Sequence, residues 1–265
     1  MSFRKLSLDI NYTGKGEDIL RSFVLPVLAE AVEYDRVTSF FTTESLVAIA
    51  EGIENLWHRK GCMRLVLGLH DVPADLVRAA QEAEDPTSQI IAQVRQRIID
   101  GIATISDELS ISRLSTIAWM MKDGLLSVKV AAPEMLESGL PGVFHNKVFI
   151  FKDENKDIVA AVGSPNETGA GLGRNFEHLT AFMSWEQPLY TNAQANFFER
   201  LWADEQEGLQ VCTLDADFAD QIIETIGHSR PKTAPFAIDQ RKKMQELLDI
   251  AARMPALRMV AGSHT

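Results

Sequence analysis

Apolar positions recur at two spacings along the chain, and the switching between them predicts an α/β protein. Residues 17–34 (EDILRSFVLPVLAEAVEY) carry apolar side chains at helical spacing, with Pro26 as a kink or boundary. Residues 36–41 (RVTSFF) predict a strand, residues 43–60 a helix capped by Thr42 or Thr43, and residues 62–69 (CMRLVLGL) a buried strand. That order implies a parallel strand pair with a right-handed crossover. Helices are predicted over 75–82, 88–104 and 106–122, the last ended by Gly124, and a strand over 125–131 (LLSVKVA). A loop over 133–142 leads into strands over 143–151 and 157–162, a glycine-rich loop over 163–174 and a strand over 176–185. Helices over 189–201 and 217–226 are followed by a proline-bearing joint at 230–235 and an amphipathic helix over 238–253. The expected architecture is a mixed, largely parallel sheet flanked by helices over residues 1–213, with a helical extension or linker over 214–265.

Composition narrows the setting. The 265 residues are 46% hydrophobic and include 13 Phe, which argues against disorder. Such a chain suffices for one core of roughly 180–220 residues. Cys62 and Cys212 are too few for a disulfide framework or a structural zinc site. The opening MSFRKLSLDI lacks the apolar run of a signal peptide, no segment approaches membrane-spanning length, and a cytoplasmic location is expected. A net charge of −11 speaks against a protein that coats nucleic acid non-specifically. Yet from Arg113 to Ser184 seven Lys and Arg face eight Asp and Glu, so this stretch is nearly neutral inside an acidic chain.

That stretch holds the candidate chemistry. His145 and Lys147 stand two apart in a predicted strand, so both side chains share a face. An imidazole and an ammonium side by side each disfavour the other's charge, and an anion between them removes the conflict. A phosphodiester fits, with Lys147 on a non-bridging oxygen and His145 as nucleophile. Ser164 and Asn166 sit where a strand runs into the glycine-rich turn, offering hydroxyl, amide and backbone N–H donors to phosphate oxygens. Arg174 is a candidate backbone-phosphate contact, and Glu177 is placed to orient His145 through its other ring nitrogen. Other motifs fall short. Gly169-Ala-Gly-Leu-Gly173 has the wrong spacing for a dinucleotide loop, and no ATP-binding P-loop occurs. His70 with Asp71 has no further ligand at metal-binding spacing, and Trp119 and Trp185 read as core.

The succession HxK (145–147), GSxNxT (163–168) and NxE (175–177) resembles the signature of the phospholipase D superfamily, in its nuclease branch. The segments YDRVTSFF, LVLGLH, DGLLSVKV and FMSW match as well, so the resemblance covers roughly residues 10–213. It extends to the N-terminal nuclease-like domains of bacterial DEAD/DEAH-type helicases. The resemblance implies a phospholipase D-like fold. It implies catalytic roles for His145, Lys147, Asn166 and Glu177 and substrate contacts from Ser164, Thr168 and Arg174, with no metal or cofactor. Where the family's commoner form has an Asp five residues after the Lys, Lys152 stands here, with Asp153 one step later. In the restriction-nuclease-like branch a downstream Glu takes that role, which Glu177 matches. Only one HxK, that at 145–147, is followed by GSxNxT, and within the resemblance this implies a homodimer that joins two histidines on one phosphate. The implied function is metal-independent hydrolysis of nucleic acid, DNA rather than RNA, beside a helicase in defence against foreign DNA. The alternative is a non-catalytic nucleic-acid-binding or dimerisation module of a helicase. No basic amphipathic helix suggests a membrane partner.

Overall fold

Strands buried on both faces lie at the centre of the sheet, and strands of alternating burial lie towards its edges. The structure, a computed structural model, describes residues 2–39, 56, 59–68, 84–103, 108–133, 144–165, 175–214 and 216–227. Among these, eight strands form one sheet: β1 (Asn11–Lys15), β2 (Glu33–Thr38), β3 (Cys62–Gly68), β4 (Leu126–Pro133), β5 (Val148–Lys152), β6 (Ile158–Gly163), β7 (Phe176–Met183) and β8 (Leu209–Leu214), in the order β1-β7-β6-β5-β2-β3-β4-β8. The pairs β2–β3 and β3–β4 are parallel and the other neighbours antiparallel. The mixed α/β architecture is as expected, whereas the sheet is mostly antiparallel rather than largely parallel. Short connections account for the difference: β5 and β6 are joined by residues 153–157 alone, too few for a crossover between parallel strands.

Helices cover both faces. On one face lie α1 (Gly16–Ile19), α2 (Leu25–Glu30), α3 (Pro86–Ala103), α4 (Glu108–Lys122) and α6 (Ala216–Ile226), and on the other α5 (Pro188–Trp202). The main core joins Phe23, Val27, Leu65, Phe149, Phe151, Leu179 and Ala181 to Ala118, Phe218 and Ile222. The second core sets Phe198 and Leu201 of α5 against Val37, Val66, Val148, Ile150 and Ala160. α5 is pinned to the sheet by Arg64, which reaches Asp35 and Glu199 at 2.7 Å each beneath the rings of Phe198 and Trp202. α6 packs against α3 and α4.

Several element boundaries move. Helix and strand meet earlier than the periodicity suggests: α2 ends at Glu30 and β2 begins at Glu33, because Tyr34 stacks on Phe151 at 4.7 Å as a sheet residue. The helical run is continuous through Pro26, with a π-helical segment, Leu20–Val24, just before α2; a wide turn of this kind accommodates a proline that has no N–H to donate to the preceding turn. β1 and β8 are strands that the periodicity does not announce. The expected helices at 43–60 (apart from Leu56 and residues 59–60), 75–82 and 238–253, the loop at 133–142 beyond Pro133 and the joint at 230–235 lie outside the described residues. No helix among the described residues is long and apolar enough to cross a membrane.

Candidate active site

The expected strand at 143–151 pairs only from Val148, so His145 and Lys147 lie in the segment that leads into β5. This segment runs beside the end of β6: the Gly163 N–H donates to the Lys147 carbonyl at 3.4 Å, and the Ser164 N–H to the His178 carbonyl of β7 at 2.9 Å. Val37 of β2 pairs with Val148. His145, Lys147, Ser164 and Glu177 therefore collect where the parallel strand β2 ends at its carboxyl terminus, the end at which open α/β sheets present their sites.

Close backbone approach makes this end narrow. A Cβ on Gly163 would lie 2.2 Å from the His178 carbonyl oxygen, so only glycine lets β6 and β7 meet just before Ser164. A Cβ on Gly68 would lie 2.3 Å from the Phe144 ring, so glycine at the end of β3 leaves room for the residue that precedes His145.

Nζ of Lys147 stands 2.7 Å from Nε2 of His145. An ammonium donates there only to an unprotonated nitrogen, so a neutral His145 then carries its proton on Nδ1. His145 is exposed and Lys147 is 6% exposed. Burial pushes the Lys147 pKa down, the charge of Arg36 pushes it the same way, and Glu177 opposes them. The pair is thus an exposed imidazole backed by a desolvated amine.

Glu177 stands out within β7. Leu179, Ala181 and Met183 share its face and enter the main core, while Glu177, 6% exposed, places a carboxylate on that face. The Ser164 hydroxyl donates to this carboxylate, and its oxygen accepts the His178 N–H at 3.0 Å. In this arrangement Ser164 holds Glu177. Asn166, Thr168 and Arg174 lie outside the described residues. His178 points to the opposite face of β7, where its ring nitrogens meet Thr13 at 2.9 Å and Thr180 at 3.3 Å.

Lys152 and Asp153 stand at the wrong end of β5 for a role toward His145. A strand of this length sets them roughly 17 Å from Lys147. Asp153 accepts the N–H groups of Phe3, Asn155 and Asp157, each at 2.9 Å, and so holds the β5–β6 turn. Lys152 pairs with Glu33 at 3.0 Å. Asp153 therefore serves the β5–β6 turn, at the end of β5 away from His145.

One residue of this end escaped the reading of the sequence. Arg36 is fully buried in β2, and its guanidinium donates to the carbonyls of Val37 (2.7 Å), Val148 (3.1 Å) and Pro165 (2.9 Å). In the sequence it is one of three charged residues of β2, beside Glu33 and Asp35, and nothing sets it apart from them.

Fold and site together define a class: a mixed α/β protein that gathers a His–Lys pair and a Ser–Glu pair at one end of its sheet. No family model and no curated protein matches the chain. Among solved structures it is similar to NucT from Helicobacter pylori (14% identity, TM-score 0.42, covering 73% of this chain and 95% of that one). It is also similar to Nuc from Salmonella typhimurium, a phospholipase D family member (14% identity, TM-score 0.42, 74% and 90%). A third is the phosphatidylserine synthase of Haemophilus influenzae Rd KW20 (11% identity, TM-score 0.43, 92% and 45%).

Proposed function

We propose that the chain is a phosphodiesterase of the phospholipase D type that cleaves nucleic acid, DNA in preference to RNA, through a covalent phosphohistidine. The observation that carries this reading is the 2.7 Å approach of the Lys147 amine to Nε2 of an exposed His145. A phosphodiester entering here takes the ammonium onto a non-bridging oxygen and releases Nε2 for attack.

Nε2 forms the bond to phosphorus, and the bond to the leaving oxygen breaks. A second histidine protonates that oxygen, then takes a proton from water as the water displaces phosphorus from Nε2. His58-Arg59-Lys60 is a second HxK spacing, but only the motif at 145–147 is followed by GSxNxT, so the second histidine is assigned to His145 of another copy, and the working unit is a homodimer. Glu177, held by Ser164, favours the imidazolium form that the leaving-group step requires. The sequence resemblance gives Asn166, Thr168, Arg174 and Ser164 the role of contacts to the phosphate. Association with a helicase in defence against foreign DNA rests on the sequence resemblance.

The test is incubation with labelled single- and double-stranded DNA in excess chelator, beside the His145→Ala variant. Cleavage in chelator that disappears in the variant supports the reading, because Lys147 supplies the charge that a metal ion would otherwise bring. Cleavage that requires added Mg²⁺ overturns it. Binding without cleavage points to the non-catalytic module instead.

A further inference from the structure

We propose that Arg36 is a positioning residue for this site: its buried guanidinium clamps the start of β5, next to Lys147, to the turn carrying Ser164 and sets a fixed positive charge beneath the site. The inference rests on the phosphodiesterase reading for its purpose, and on the contacts of Arg36 for its geometry.

Those contacts join three places distant in sequence. Val37 belongs to β2 itself, Val148 directly follows Lys147, and Pro165 directly follows Ser164 and precedes Asn166. A planar guanidinium presents its N–H groups in a rigid fork, so bonds to Val148 and Pro165 fix the separation of the two segments. The Phe149 ring lies 3.6 Å from the guanidinium carbon and holds the fork in plane. Lysine in this place has the charge without the fork, and methionine has neither.

The charge acts on Lys147, which meets His145 at its tip and feels the charges of Arg36 and Glu177 with opposite sign. The charge of Arg36 disfavours the protonated amine. An arriving phosphodiester anion enters the field of both cations, and its charge offsets their mutual repulsion.

Arg36→Met and Arg36→Lys test this in the full chain, with circular dichroism as the check of folding. Lysine side-chain NMR, with the Lys147 signal assigned through Lys147→Met, follows the amine without any substrate. Loss of the Arg36 charge in Arg36→Met should move the Lys147 titration to higher pH, while Arg36→Lys leaves it near the wild-type position. Binding of inorganic phosphate should weaken about tenfold or more in both variants, the scale of losing hydrogen bonds from a charged group. A folded Arg36→Met in which Lys147 titrates as in the wild type overturns the electrostatic role. A folded Arg36→Lys that binds phosphate as the wild type does overturns the clamp, and this variant alone decides if Arg36→Met does not fold. Because the titration needs no turnover, a wild type that fails to cleave DNA would sink the phosphodiesterase reading and leave this result standing.

Discussion

A desolvated ammonium beside a buried guanidinium is held against its own hydration, and Lys147 is in that position. The folded protein lowers its pKa, so between the folded value and the ordinary one the unfolded chain binds more protons. Stability therefore rises with pH across that window; the penalty is full below the folded pKa and gone above the ordinary one. Lys147→Met should be more resistant to urea than the wild type at neutral pH, with the gap closing as the solution turns alkaline, and should lose phosphate binding. Denaturation midpoints across a pH series check this. Glu177→Gln keeps size and shape while removing the charge. Cleavage should then fall by about 10⁴-fold, the effect of an orienting carboxylate in a triad, with DNA binding little changed. Single-turnover cleavage and binding on one preparation separate the two; equal losses in both would make Glu177 structural. His145, Lys147 and Glu177 were legible in the sequence because their chemistry stands at short, recognisable spacings. Arg36 was not, since its meaning lies in acceptors more than a hundred residues away, Val148 and Pro165, which only the folded sheet brings near.

At the scale of elements, Asp153 separates structure from chemistry. It gathers three N–H groups at the turn between β5 and β6, far from His145. Asp153→Ala should cost about 1–3 kcal/mol, the penalty for leaving such donors unsatisfied, and leave cleavage at a permissive temperature unchanged. Melting curves and turnover on the same variant check both halves; a large loss of turnover in a folded variant would return Asp153 to the mechanism. The central strands β3 and β5 were legible because burial leaves a mostly apolar run. β1 was not, because Asn11–Lys15 holds Gly14 and Lys15 and has no apolar run of its own; it is a strand through its pairing with β7. The direction of the strands was also out of reach of periodicity, which reports faces and not neighbours.

For the whole molecule, the proposed mechanism sets the decisive constraint: only the HxK at 145–147 is followed by GSxNxT, so on this reading one copy carries half of a nucleophile–acid pair. The protein should therefore run as a dimer at micromolar concentration in light scattering. A strict monomer, with DNA and without it, would contradict the two-histidine mechanism. The most direct measurement of the account is the capture of its intermediate. DNA carrying radioactive phosphorus at the scissile position is mixed with excess enzyme in chelator and quenched in alkali, which preserves phosphohistidine. Label should appear on the peptide that contains His145 and be absent from the His145→Ala protein. Cleavage that proceeds with no label on the protein, or label that persists in His145→Ala, would contradict the covalent phosphohistidine at this residue.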